Sequence, residues 1–231
     1  MSGELVQILD GNTFVVSDRR GDIEASLTDP TGLFSFDTRF LSRWVLTINN
    51  ERLTALSVDD LQYFETRFFL VPGTGTVYVD SNLSVIRQRA VGGGFHETLT
   101  ILNHQGQPVD LEIHLGAASD FADLFEVKDA LKKKGHYRAR VADRHLVLEY
   151  QRETYVRETW ISSSSASDID DGGLSFRITV PPHGEWKTTR CEVRTFSCSA
   201  SMDAAITSTG SRVRPTICRA FSAYVTSFRR R

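Results

Sequence analysis

Between Val109 and Leu115 the apolar side chains Val109, Leu111, Ile113 and Leu115 alternate with Asp110, Glu112 and His114. A helix would scatter those four apolar groups around its circumference, whereas a strand places them all on one face, so this stretch is a strand with a dry side and a wet side. Turn chemistry divides the rest of the chain into similar lengths. Asp10-Gly11-Asn12 lies between apolar residues 5–9 and 13–16, and Asn49-Asn50 lies between 44–48 and 52–56. Gly and Asn tolerate positive φ, so both predict hairpins. Further strands are expected over 63–71, 76–79, 83–91, 97–102, 137–141, 145–150, 154–161, 174–180 and 187–196. The strand over 97–102 is the expected partner of 109–115, joined to it through His104-Gln105-Gly106-Gln107. Many short strands with turn signals and no repeat of 20–50 residues point to an antiparallel β-sandwich rather than a solenoid.

A chain of 231 residues can bury a sizeable core as one domain. Lys plus Arg number 27 against 29 for Asp plus Glu, a formal net charge of −2, which supplies no field to hold nucleic acid or an anionic membrane. Lys132-Lys133-Lys134 and Arg229-Arg230-Arg231 read as a solvated turn and a solvated tail. Cys191, Cys198 and Cys218 are odd in number and fit neither a zinc pair nor a small disulfide framework, which favours a reducing compartment. Residues 1–9 lack the basic and apolar regions of an export signal, and no run of about 18 apolar residues occurs, so a soluble cytoplasmic protein is expected. Arg20-Gly21-Asp22 then reads as a turn and not as an adhesion signal.

Several clusters admit a chemical reading beside a structural one. Within 32–44, Asp37 and Arg39 stand among Phe34, Phe36, Phe40 and Trp44; they contact sugar hydroxyls or another domain, or they form a salt bridge that fixes a loop. His96-Glu97, after Gly92-Gly93-Gly94, faces a ligand or marks a bulge that re-aims the strand. Residues 120–127 form a helical turn or an arm crossing a sheet edge. If helical, they put Asp120, Asp123 and Glu126 on one face, as glycosidic hydrolysis by two carboxyl groups would need. The structural alternative makes Asp120 a cap and leaves the other two solvated or paired with Arg. Asp168-Ile169-Asp170-Asp171-Gly172-Gly173 lacks the Glu that completes an EF-hand, since that position is Thr179. The six histidines show no ligand spacing, and Trp44, Trp160 and Trp186 fall in strands where a core role is the default.

Four motifs in order, Gly11-Asn12-Thr13-Phe14, the stretch 32–44, Gly92-Gly93-Gly94-Phe95-His96-Glu97 and the segment 120–127, resemble the amino-terminal domain of bacterial amylo-α-1,6-glucosidase-like proteins, the glycogen-debranching enzymes. The resemblance covers residues 4–160 well and 160–197 loosely. It implies a supersandwich-like β-domain over 1–197, ahead of an α/α-toroid that carries the catalytic carboxylates. No toroid lies within these residues, and 198–231 read as a diverged or truncated tail. The implied function is non-catalytic support of the toroid, with Asp37, Arg39, Phe40, Trp44, His96, Glu97 and Asp123 as candidates for α-glucan or interdomain contact. No catalytic residue, cofactor or metal is assigned. The surface around Asp37, Arg39, Phe40 and Trp44 is the expected docking face. The alternatives are a free-standing carbohydrate-binding or protein-interaction module and, last, an enzyme built on Asp120, Asp123 and Glu126. The strand pattern predicts a β-dominated far-UV circular dichroism spectrum, and a spectrum with a third or more helix would refute it.

Overall fold

The computed structural model of the chain describes residues 4–26, 30–73, 82–129, 133–188 and 190–199. Strands β1 (Val6–Asp10) and β2 (Thr13–Ser17) close over Gly11-Asn12, with Gly11 at φ 56°. After β3 (Ile23–Glu24), β4 (Gly32–Ser35) and β5 (Thr38–Leu41) form a second hairpin over Phe36-Asp37. A third joins β6 (Arg43–Ile48) to β7 (Glu51–Gln62) through Asn49 and Asn50, whose φ values of 52° and 65° are the positive ones their side chains suit. Then come β8 (Glu65–Pro72), β9 (Leu83–Val91), β10 (Phe95–Asn103), β11 (Val109–Ala118) and the helix α1 (Leu124–Asp129). A meander of β12 (His136–Ala142), β13 (His145–Arg152) and β14 (Tyr155–Ser162) follows. The last strands are β15 (Asp168–Ile169), β16 (Gly173–Val180), β17 (Glu185–Lys187) and β18 (Cys191–Ser199). The strand expected over 76–79 lies outside the described residues.

One long antiparallel ribbon runs β12-β13-β14-β18-β10-β9-β8-β7-β6-β11-β16-β15, with β17 on β10 and β3 on β6. Within it β7 shifts register twice, between Ala55 and Ser57 and between Asp60 and Gln62. Bulges bend and twist a strand, so β7 is where the ribbon folds over on itself. The two halves then face each other. Trp44 of β6 meets Phe95 of β10 edge to face at 5.7 Å, and Phe176 of β16 meets Trp186 of β17 at 5.8 Å. The outcome is a nearly closed, barrel-like antiparallel sandwich. A smaller sheet, β1-β2-β4-β5, joins it where Leu9 N donates to Tyr63 O and Thr159 Oγ1 donates to Phe40 O. No helix among the described residues is long and apolar enough to cross a membrane.

The expected pairing of β10 with β11 is corrected. β11 lies between β6 and β16, whereas β10 pairs with β9, β17 and β18. Residues 104–108 form an arch between the two layers instead of a hairpin, and the buried Asn103 shapes it. Its Nδ2 donates to Gln107 O, Val180 O and Pro181 O, and its Oδ1 accepts from Gln105 N.

Strands β9 and β10 bury every second residue, and that parity carries charge into the core. Arg87, Arg89 and Glu97 point inward beside Leu83, Val85, Val91, Phe95, Leu99 and Ile101. Glu97 Oε1 accepts from Trp44 Nε1 at 2.9 Å and from Arg87 Nη2 at 2.9 Å, and Oε2 accepts from Arg89 Nε at 2.8 Å and Nη2 at 2.6 Å. Arg87 Nη1 also donates to Asp22 Oδ1 at 2.7 Å, and Asp22 Oδ1 accepts from Leu46 N in the opposite layer. Two guanidiniums and two carboxylates cancel. The Arg89 guanidinium also lies over Phe68 and Phe95, 5.2 and 5.1 Å from their ring centroids. Arg20-Gly21-Asp22 is therefore folded inward, with Asp22 buried and the carbonyls of Arg20 and Gly21 accepting from Arg87 and Arg89. Only glycine fits at 21, where φ is 78° and a Cβ would lie 2.9 Å from the Phe68 ring.

Burial alone would raise the Glu97 carboxyl, but the charges of Arg87 and Arg89 and the Trp44 hydrogen bond overcome it and hold the group below its ordinary value of 4.5. The folded value being the lower one, this contribution to stability is complete above the ordinary value and is lost as pH falls through the folded one. Removing Glu97 leaves two like charges buried together, so Glu97→Ala is expected to cost on the order of 3–5 kcal/mol. Urea denaturation at pH 7 measures it, and a loss under about 1 kcal/mol, the scale of an ordinary hydrogen bond, would refute a central role.

Candidate functional site

The β4–β5 hairpin and the segment after β11 build one corner of the molecule. Phe34 of β4 stacks on Phe14 of β2 with ring centroids 4.7 Å apart, which fixes the hairpin to the first strands. Residues 120–124 then run along the open side of β5. Arg39 N donates to Ala122 O, Leu124 N donates to Asp37 O, and Thr38 bridges Asp123. Both readings of this segment hold in succession: an arm on a sheet edge leads into one helical turn.

The carboxylates here are engaged structurally. Asp120 grips Arg39 in a two-pronged pair, Nε to Oδ1 at 3.1 Å and Nη2 to Oδ2 at 2.5 Å. Arg39 itself is 5% exposed and also donates to Thr31 O. Gly32 makes room for it, since a Cβ there would lie 2.6 Å from Arg39 Cδ. Asp120 Oδ1 accepts from Ala122 N, closing the turn, and the cap of the helix itself is Asp123. Asp123 Oδ1 accepts from the N–H groups of Phe125 and Glu126, and Glu126 Oε2 accepts from Asp123 N. This is a capping box, in which two otherwise unpaired backbone donors are satisfied reciprocally. Lys133 completes it at 2.5 Å from Glu126 and 5.5 Å above the Tyr150 ring, so this lysine of the basic run is a structural partner.

Phe36 and Phe121 flank this corner, and both adopt positive φ, 54° and 48°. For bulky side chains this conformation costs about 1–2 kcal/mol. At Phe121 the strain has a visible offset. The ring is buried, edge to face with Phe40 at 5.8 Å and stacked near Tyr150 at 6.0 Å. The Phe36 backbone is held by its N–H donating to Asn12 O at 2.8 Å, but its side chain has no such offset, the residue being 71% exposed at the hairpin tip. Leu124 and Phe125 are exposed too, at 45% and 76%.

Beside the tip lies a cleft of about 410 Å³, walled by Ser35, Phe36, Asp37 and Thr38 from the hairpin and by Tyr155, Arg157, Phe196 and Ser197 from β14 and β18. Arg157 Nε donates to Tyr155 Oη, its guanidinium lies 4.9 Å from the Tyr155 ring centroid, and Nη1 donates to Phe121 O. Asp37 accepts from Thr38 Oγ1 at 3.1 Å.

The structure divides the contact residues read from the sequence. Asp37 stands exposed at the cleft, and Asp123 is half-buried beneath it as a cap. Trp44 and Glu97 are fully buried, so their side chains offer a glucan no surface, whereas Phe40, 3% exposed, is core that also lines the cleft. Their aromatic and charged character serves the core. Of the face expected around Asp37, Arg39, Phe40 and Trp44, the burial of Arg39 and Trp44 is a correction, Asp37 is exposed, and the exposed apolar groups at this corner include Phe36, Leu124 and Phe125. His96 is half-buried and lies elsewhere. It stands opposite Glu192, which stands opposite Ser162, five residues along β14 from Arg157 and seven from Tyr155, a separation of about 20 Å at 3.3 Å per residue. Burial and the charge of Arg190 hold its imidazole below the ordinary value. Asp170 Oδ1 accepts from Gly172 N and Gly173 N, closing the acidic loop as a turn, and no group of three or more potential metal ligands occurs among the described residues. Sequence reasoning missed Phe36, Tyr155, Arg157 and Phe196. The αL position of Phe36 could have been suspected, since it occupies a hairpin turn where Asn or Gly is usual.

Residues 8–191 match the profile of a family described as the N-terminal domain of some glycogen debranching enzymes. No curated protein matches the chain. The geometry generates one test of its own. A double-mutant cycle on Arg39→Ala and Asp120→Ala is expected to give a coupling of about 1–3 kcal/mol in stability, since the pair is two-pronged and its cation is buried. Additive losses would show that the pair is incidental.

Proposed function

The chain belongs to the family of N-terminal domains of glycogen debranching enzymes, and from that membership we propose that it is a non-catalytic domain supporting a separate α/α-toroid glycosidase domain. In this reading it serves amylo-α-1,6-glucosidase chemistry in the cytoplasm and helps to hold the α-glucan. The observation that carries it is the engagement of the acidic cluster. Hydrolysis of a glycosidic bond needs one carboxyl group protonated and another ionised across the bond. Asp120 is committed to Arg39, and Asp123 and Glu126 to a capping box and Lys133. None of these is a free acid or base. The exposed Leu124 and Phe125 supply an apolar face for the toroid, of the kind that interdomain contacts burying about 600–1,500 Å² use. Burial pushes the Cys191 thiol up to about 12 and keeps it unreactive, a structural role.

A free-standing carbohydrate-binding module is the second reading, and the cleft beside Asp37 favours it. The purified chain is expected to release no glucose from glycogen, limit dextrin or maltooligosaccharides, and to bind a separately expressed toroid of this family. Phe125→Ser should weaken that binding about tenfold or more, the scale of losing one buried aromatic contact. Glucose release that vanishes in Asp123→Asn would overturn the non-catalytic reading, and absence of toroid binding would favour the free-standing module.

A further inference from the structure

We infer that the cleft between the β4–β5 hairpin tip and the ends of β14 and β18 is an oligosaccharide subsite, with Phe36 as its platform and Asp37 and Arg157 as its polar contacts. The inference rests on the α-glucan part of the proposed function and names where the sugar sits. Its first support is the contrast between the two strained phenylalanines. Strained residues persist where the surroundings or a function retain them. Phe121 is held by its burial, whereas Phe36 keeps an unfavourable backbone while exposing its ring at the mouth of the cleft. A ring presented that way offers a flat apolar face to the C–H face of a pyranose.

The second support is the charge in the walls. Asp37 and Arg157 line the same cleft without pairing with each other. Among the described residues the Asp37 carboxylate accepts one hydrogen bond, from Thr38. Arg157 uses Nε and Nη1, and among the described residues its Nη2 has no hydrogen-bond partner. One acceptor-rich and one donor-rich group with spare capacity suit a neutral polyol, whose hydroxyls both donate and accept. A charged ligand would gain from one wall and lose to the other, and a dry protein contact would leave both charges uncompensated. Ser35, Thr38, Thr195 and Ser197 add hydroxyls, and Tyr155 and Phe196 add two more rings. A volume of about 410 Å³ accommodates a short segment of chain.

The test uses the full chain in native electrophoresis through soluble glycogen, with calorimetric titration by maltoheptaose. Trp160 reports on the site because its ring lies 5.8 Å from that of Phe196. Glycogen should retard the wild type, and maltoheptaose should shift its tryptophan emission. Phe36→Gly should weaken both responses tenfold or more while leaving the thermal midpoint unchanged or raised, because glycine accepts the backbone conformation that strains phenylalanine. Asp37→Asn should weaken them severalfold. Absence of any response in the wild type would overturn the inference, as would full binding by Phe36→Gly. If the wild type ignores both glucans and Phe36→Gly loses affinity for a toroid of this family, the cleft is a docking socket: the inference fails and the supporting role stands. Glucan binding without any toroid affinity would uphold the subsite and remove the supporting role.

Discussion

The carboxylate of Glu97 is the point on which the two layers of the sandwich are joined. Taking four charges out of water costs several kcal/mol per ion before any is recovered, so such a cluster survives only with near-complete pairing. Here the pairing spans both layers: Trp44 from β6, Arg87 and Arg89 from β9, Glu97 from β10, and Asp22 from the turn before β3. Apolar packing alone would tolerate a strand shifted by two residues. A charge network does not, because a slip by one turns Arg87, Arg89 and Glu97 outward and a slip by two parts them from their partners. The cluster therefore specifies register more than it adds stability, and it draws the 18–22 turn inward with it.

The residues that carry the alternation announced the class of fold, and the turns at Asn49-Asn50 and Asp10-Gly11-Asn12 were legible to within a residue. Which strands neighbour which was not. Strands β10 and β11 each have one dry face, and that pattern is the same whether they form a hairpin or face each other across a core. The arch was decided by the buried contacts of Asn103, which sequence separation hides. The charged core was half legible: Leu83, Val85 and Val91 share parity with Arg87 and Arg89. Default reasoning moves a charge to the wet face, and only the matching parity of Glu97 on the next strand signals that the charges go inside together.

The same default explains the residues chosen from 32–44. Density of aromatic and charged groups marks either a binding surface or an unusually demanding piece of core, and composition does not separate them. Arg39, Phe40 and Trp44 are core, each meeting a partner more than 50 residues away: Asp120, Phe121 and Glu97. What those contacts do for function is indirect. They hold the hairpin on three sides, through Phe14, through the arm at 120–124 and through Thr159, so that its tip is a rigid projection.

Rigidity is what gives the strain at Phe36 its meaning. In a mobile loop a phenylalanine with positive φ would relax into an allowed region, and its angle would carry no information. In this hairpin the register of β4 against β5 closes over two residues, Phe36 and Asp37, and the arm donates to Asp37 O and accepts from Arg39 N on the far side. The backbone has no slack with which to relieve the conformation, so side chain and backbone at this position were settled separately. The backbone follows from the hairpin. The ring does not, since Asn or Gly would meet the hairpin's needs at lower cost and the core gains nothing from a side chain in water. A bulky apolar group kept at the position least suited to it, beside an Asp37 carboxylate and an Arg157 guanidinium that among the described residues keep hydrogen-bonding capacity to spare, is what the inferred oligosaccharide subsite accounts for.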